Sequence, residues 1–480
     1  MLELAIHRLP KLRVIASLFE LLHEHAITYC NLKGNERHLR ICMTGESDID
    51  ILFDEDQKEK LEQVLAMLQF KKFQAIKPRQ YLKIVDFLAL DEESGKVIHL
   101  HAHFRIPVGE PCLKDYQLGI EHHILNTRHL NDDFGTYCIS PSYELIMLYI
   151  TESLKIRHRD LLPIYLKGKT DVGSKANHEY NWLKKRTTNG EMELSIKLLF
   201  NDQVTISKFF IEDFNRKRLI RLASLLRQLF GNTSLYSPLQ ALTVRWYREI
   251  TVSMLRKLSR ILPWPVLSLR FNPRGGVIIG ITGSDLAEQL TIIRSLKETF
   301  KRKLDVYTVG IEWRVSSVDK EEVRTGPDQK RRFRNSGISK LLRSIQAVVL
   351  ARKNVFKMSG AKAARDKGAL VICSYYIEDP SNGSAQQSHL GDLMEPNNPF
   401  GRFLGRIENK YNTKTRNYLP DILFEVSPAK QATRDYSHED GQATIRHRYL
   451  SDKLKVVRIE GSEPLKRKLD TIRRETWNML

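Results

Sequence analysis

The 480-residue chain has no run of about 18 uncharged apolar residues, so a membrane-spanning helix is not expected. It has five cysteines, Cys30, Cys42, Cys112, Cys138 and Cys373, and no Cys-x-x-Cys pair. Their wide spacing and odd number argue against a disulfide framework and against a cysteine zinc site, and fit a reducing cytoplasm. No internal repeat of fixed period is visible. The opening stretch lacks the uncharged core of a signal peptide. Apolar residues of MLELAIHRLPKLRVIASLFELL recur at helical spacing with charges throughout, which predicts a folded amphipathic helix. Acidic residues are outnumbered, 57 against 77 Lys and Arg, for a net charge of +20. Such a field favours nucleotides, nucleic acid or an anionic lipid surface, or simply gives a soluble basic surface.

The length implies two or three domains, and the patterns fall into three regions, 1–135, 136–265 and 266–480. In the first, Asp48 to Phe53 predicts a strand. DEDQKEKLEQVLAMLQF predicts a helix capped by Asp54 or Asp56, with Leu61, Val64, Leu65 and Leu68 on one face. Tyr81 to Leu90 and Lys96 to Arg105, joined by the turn-like DEESG, predict a hairpin. From Ser140 to Pro263 the patterns are mostly helical, starting at the Ser-Pro before SYELIMLYITESLKI. Asn272 to Gly276 marks a boundary. Beyond it VIIGIT, LDVYTVGI, ALVICSYY and DILFEV read as buried parallel strands with helices between them, and 316–335 and 380–398 as polar loops. The fold class expected is α/β: an α+β domain, a helical middle region and a parallel α/β domain.

Side chains alternate along a strand, so Asp48 and Asp50 project together while Ile49 and Ile51 face the core. Two adjacent carboxylates repel each other unless a cation lies between them. Mg2+ takes hard oxygen ligands and commonly joins a few carboxylates to substrate phosphates, as two-metal nucleotidyl transfer requires. Lys33-Gly34-Asn35, followed after a short stretch by Gly45-Glu46-Ser47-Asp48-Ile49-Asp50-Ile51-Leu52, resembles the signature of the DNA-polymerase-beta-like nucleotidyltransferases. With the later LH-containing strand, the match is similar to an uncharacterised bacterial group often found beside polysaccharide genes, and it covers roughly the first 110 residues.

The resemblance implies Asp48 and Asp50 as metal ligands, Asp86 as the third carboxylate, and Lys33, Gly34, Asn35 and Ser47 beside an NTP. Asn35 stands where the family has a serine. His99, His101 and His103 share one strand face. They either border the active site, as metal ligands or a general base, or line a solvent-facing strand.

In the third region Gly275 to Asp285 resembles the strand and loop that open thymidylate-kinase-like P-loop proteins. The loop there normally continues into Gly-Lys-Ser/Thr, whose backbone, lysine and hydroxyl hold phosphate and magnesium. Here Gly283, Ser284 and Asp285 run on to Glu288, Gln289 and Leu290, with Gln289 in the lysine's place. The Asp-Arg pair expected after a buried strand is replaced by Ser374-Tyr375-Tyr376, while Glu408, Tyr411, Pro420-Asp421 and Arg434 persist. These features imply a pseudo-kinase over 270–480. Lys330 to Arg334 form a basic run that either contacts phosphate or is a solvated loop. Trp246, Ile250, Met254, Leu258, Ile261 and Leu262 share a helix face beside Arg248, Arg256, Lys257 and Arg260. That face either packs on the kinase-like domain or lies in a membrane interface.

The function expected from these motifs is Mg2+-dependent transfer of a nucleoside monophosphate from an NTP to an acceptor, with a sugar or phosphosugar favoured. The alternatives are an inactive nucleotide-fold scaffold or regulator, and an RNA-directed transferase for which only the charge speaks. The expected location is cytoplasmic, with peripheral contact at the inner face of the membrane open.

Overall fold

A computed structural model describes residues 11–157, 172–200, 204–211, 214–261, 265–283, 285–310, 337–374, 399–427 and 454–480. The chain is mixed α/β and divides into two compact units, Met1–Lys257 and Leu258–Leu480.

The first unit opens with α1 (Arg13–Glu24), β1 (Tyr29–Asn31), α2 (Glu36–Met43), β2 (Ile49–Phe53), α3 (Lys58–Met67) and β3 (Lys71–Ala75). The hairpin β4 (Ile84–Asp91) and β5 (Lys96–His103) follows, with Asp86 opposite His101 and Leu88 opposite His99. Two short strands, β6 (Pro107–Val108) and β7 (Tyr116–Gln117), precede α4 (Glu121–Asn126), β8 (His129–Asn131) and β9 (Thr136–Cys138). The sheet runs β3-β4-β5-β2-β1-β9-β8, with β2 parallel to β5 and Asp50 opposite His101.

Period-two patterning decides what each face does. Ile49, Ile51, Phe53, Phe87, Ala89, Ile98, Leu100 and Ala102 pack against Ile15, Leu18, Phe19 and Leu22 of α1 and Leu61, Val64 and Leu65 of α3. Each fully buried aliphatic side chain there contributes roughly 1.5–3 kcal/mol. A slip of one residue in β5 would drive three histidines into that core, so the register is tightly specified. The opposite face carries Asp50, Asp86, His99, His101 and His103.

The helical middle region belongs to the first unit as far as Lys257. Helix α5 (Pro141–Leu154) and the helices Ser174–Lys184, Asn189–Phe200, Val204–Ile211 and Arg216–Leu229 share one core with Cys30 of β1 and Leu52 of β2. They therefore cover part of the sheet face that carries the acids and histidines. Local sequence could not reveal this, because the contacts join residues more than a hundred positions apart. The long helix Pro238–Ile261 attaches to the first unit through its basic side. Arg245 Nη1 lies 2.7 Å from Glu110 Oε2, and Arg248 donates to the carbonyls of Cys112 and Leu113 at 3.1 and 3.3 Å. Trp246, Ile250 and Met254 on its other side are exposed, Trp246 by 60%.

In the second unit, β10 (Arg270–Phe271) leads to β11 (Val277–Gly283), β12 (Val306–Gly310), β13 (Leu370–Ser374), β14 (Ile422–Val426) and β15 (Lys455–Ile459). Their order is β12-β13-β11-β14-β15 and every pairing is parallel. The helices Leu286–Phe300, Gly337–Asp366 and Pro399–Arg416 make the crossovers between β11, β12, β13 and β14. Strands of this kind are buried on both faces, which is why VIIGIT and LVIC read as unbroken apolar runs. Gly276 is required where β11 begins, since a Cβ would lie 1.9 Å from the Ala369 carbonyl oxygen. Strand β15 and the closing helix Leu465–Met479, whose Trp477 stacks on Phe300, had no clear motif in the sequence. Tyr375, Tyr376, Arg434, Leu262, the 316–335 loop with its Lys330 to Arg334 run, and the 380–398 loop lie outside the described residues.

Candidate functional site

Asp48, at the entry to β2, and Asp50 within it reach the same sheet face, and β5 places three histidines between them and Asp86 of β4. The entry itself is fixed by Gly45, whose φ of +71° and close approach to Leu12 and Ile98 leave no room for a side chain. His99 is fully buried; its Nε2 lies 2.7 Å from Asp86 Oδ1 and its Nδ1 3.0 Å from Asp48 Oδ2. His101 stands among all three acids. Its Nε2 is 3.6 Å from Asp48 Oδ2 and 3.5 Å from Asp86 Oδ1, and its Nδ1 is 3.5 Å from Asp50 Oδ1. His103 Nε2 lies 3.4 Å from Asp50 Oδ1. Two ligand sets result, Asp48–His99–His101 and Asp50–His101–His103, each with its donor atoms within 4.8 Å of one another. The histidines are thus not a solvent-facing row.

Charge states follow from this crowding. Burial by itself would raise the Asp50 carboxyl, but the hydrogen bond and charge of His103, with His101 and Lys33, outweigh it and hold the group well below the usual carboxylate range. Burial, reinforced by His99, outweighs the three acids at His101 and pushes the ring down to about 4. His101 is therefore neutral near pH 7.

The surroundings are basic. Lys33 and Lys114 both interact electrostatically with Asp50, and burial lowers the Lys114 ammonium. Lys114 lies 4.6 Å from the Tyr81 ring centroid and has a φ of +47°, in a loop where Cys112 also has positive φ. Non-glycine residues in that region are strained, and such strain gathers at functional sites. Nothing in the local sequence singles out Lys114, because only the folded loop brings it towards Asp50.

The turn expected to hold phosphate is already engaged by the protein. Gly34 donates its N–H to Glu144 Oε2 at 2.9 Å, and Asn35 Oδ1 caps α2 by accepting from Arg37 N–H at 2.9 Å. Lys33 Nζ sits 3.7 Å from Glu179. Ser47 hydrogen-bonds the Cys42 thiol, which burial nevertheless pushes up to about 12. Glu144, on α5, is the only charged residue within the apolar run SYELIMLYI. Burial drives its carboxyl up to about 8 against the opposing pull of the Gly34 N–H, and its Oε1 has no hydrogen-bond partner among the described residues.

The sign of the linkage is therefore fixed: the folded state keeps a proton that the unfolded chain releases near 4.5. Stability falls as pH rises from about 4.5 to about 8, by a few kcal/mol in order of magnitude. Glu144→Gln is expected to flatten that slope and to be more stable than wild type above pH 8 in urea titrations. An unchanged slope would contradict the assignment.

In the second unit, the turn after β11 is closed by its own side chains. Asp285 Oδ1 caps the helix Leu286–Phe300 by accepting from Ala287 N–H at 2.8 Å. Gln289, where the resemblance expected a lysine, turns inward and donates to the Ile281 carbonyl at 2.5 Å. Glu288 lies 2.5 Å from Lys468 Nζ, which also donates to the Gly461 carbonyl at 2.8 Å. Gly283 ends β11, and Ser284 lies outside the described residues. Glu408 is buried on the helix Pro399–Arg416. Asp421 accepts from Ile278 N–H at 2.8 Å and from Arg365 at 3.2 Å, which ties β14 to β11.

No protein-family model and no curated protein matches the chain. Among solved structures, chloroplast FtsY from Physcomitrella patens aligns over 70% of this chain and 85% of that one, at 11% identity and a TM-score of 0.16. Overlap at that level carries no argument about function. Among the described residues, no helix is long and apolar enough to cross a membrane.

Proposed function

We propose that the first unit is a metal-dependent nucleotidyltransferase of the DNA-polymerase-beta-like kind, moving a nucleoside monophosphate from an NTP to a hydroxyl acceptor. The observation that carries this reading is the convergence of Asp48, Asp50 and Asp86 around His101, beside Lys33 and Lys114. Asp50, kept ionised, is the principal carboxylate for Mg2+, with Asp48 beside it. Bound there, the metal would neutralise the triphosphate and raise the acidity of the acceptor hydroxyl. Lys33 and Lys114 attract and orient the triphosphate by charge. As the acceptor oxygen attacks, its proton leaves to solvent, and His101 stays neutral among the acids.

The acceptor class favoured is a sugar or phosphosugar, from the family resemblance. The second unit lacks the P-loop lysine at Gln289, and its role in this reading is to bind a partner or acceptor without phosphoryl transfer. The exposed Trp246 face, with the net charge of +20, supports peripheral contact with an anionic membrane. A panel of NTPs with Mg2+ tests the proposal through release of pyrophosphate, with sugars and phosphosugars as acceptors. Turnover that vanishes in Asp48→Asn/Asp50→Asn is expected. Turnover that is absent, or equal in both proteins, rejects it and leaves the scaffold reading.

A further inference from the structure

A set of three carboxylates would suit Mg2+ alone, yet the structure places three imidazole rings among the acids. His99 is the decisive residue. Its Nε2 lies 2.7 Å from Asp86 Oδ1, close enough to donate to an ionised carboxylate. The other nitrogen, Nδ1, is buried, lies 3.0 Å from Asp48 Oδ2, and makes no hydrogen bond among the described residues. Close approach without alignment is what two ligands of one ion show. Ligands about 2.1 Å from a tetrahedral ion stand about 3.4 Å apart, between the 3.0 and 3.6 Å that separate Asp48 Oδ2 from the His99 and His101 nitrogens. His101 Nε2, 3.6 Å from the same Asp48 oxygen, supplies a third donor. The Asp86–His99 contact then has the form of a carboxylate that orients a ligating histidine through its far nitrogen.

We infer that Asp48, His99 and His101 form a resident site for a divalent transition ion of the zinc class, with Asp86 positioning His99. Imidazole nitrogens suit zinc and its first-row neighbours, whereas Mg2+ seeks oxygen. Two histidines and one carboxylate leave coordination positions open, as catalytic zinc sites do. Asp50, on the other side of His101, stays free to receive magnesium with the triphosphate. This inference refines the metal-dependent reading above, and it is tested by binding, separately from turnover.

The test uses the full-length chain stripped with chelator and titrated with Zn2+ in excess Mg2+, with bound metal measured after gel filtration. A single retained equivalent of Zn2+ is expected, lost in His99→Asn and in His101→Asn. Asp86→Asn should weaken binding about 10–100-fold without abolishing it. His122→Asn/His123→Asn, at the surface histidine pair of α4, should leave it unchanged. X-ray absorption on the wild-type zinc complex covers the case in which a histidine variant fails to fold, and should show imidazole scattering. Retention unaffected by the His99 and His101 changes, displacement of zinc by Mg2+, or a zinc shell without imidazole would each overturn the inference. Zinc binding without NTP turnover would instead remove only the transferase reading.

Discussion

Asp50→Asn is expected to lower metal-dependent NTP turnover by about a thousandfold or more, whereas Asp86→Asn should lower it only about 10–100-fold. The difference follows from position. Asp50 is held well below the usual carboxylate range, chiefly by His103, and its removal would take away the charge proposed to bind magnesium. Asp86 is more buried and spends an oxygen on His99, so its amide loses orientation of that ring rather than a metal ligand. Asparagine preserves volume and an acceptor oxygen at both positions, so the urea midpoint should change little. Steady-state pyrophosphate release separates the two variants, and equal losses would place Asp86 on the metal instead.

Glu288→Ala is expected to destabilise the second unit by about 3–5 kcal/mol, because it leaves the ammonium of Lys468 buried without its charge partner. Lys468 is only 2% exposed and Glu288 is its ion-pair partner. Lys468→Met should be nearly neutral, since the exposed end of the pair is the carboxylate and methionine fills similar volume. The double variant Glu288→Ala/Lys468→Met should recover most of the loss. Urea unfolding of the full chain, followed through the second unit's buried Trp477, reads all three. If Glu288→Ala alone proves neutral, the pair is not what holds this turn closed.

Much of the architecture is written in local pattern. The alternation in IDILF and VIHLHAH dictates which side chains share a sheet face, and unbroken apolar runs mark the parallel strands β11, β13 and β14. Asp48 and Asp50 are legible for the same reason, as acids interleaved with core residues. The partnership of Asp86 with His99 needs the register of the β4–β5 hairpin. The Glu144–Gly34 bond spans 110 positions, and nothing at Gly34 announces that its N–H is occupied. Glu144 did leave a trace, as a lone acid inside an apolar helix. Lys114 left none, since an ordinary lysine acquires its role only through the conformation of its loop. The Glu288–Lys468 pair was half visible: the glutamate stood out in the stretch after Gly283, but the lysine that neutralises it lies 180 residues away.

The most direct test of the central claim is to locate the nucleotide itself. Full-length protein would be irradiated with a photoreactive NTP and Mg2+, digested, and its labelled peptides sequenced. Label is expected on peptides bordering β2, β5 and the Lys114 loop, competed by unmodified NTP and lost with chelator or in Asp48→Asn/Asp50→Asn. Specific label on the turn between β11 and the helix Leu286–Phe300, or label indifferent to metal and to both aspartates, would contradict it.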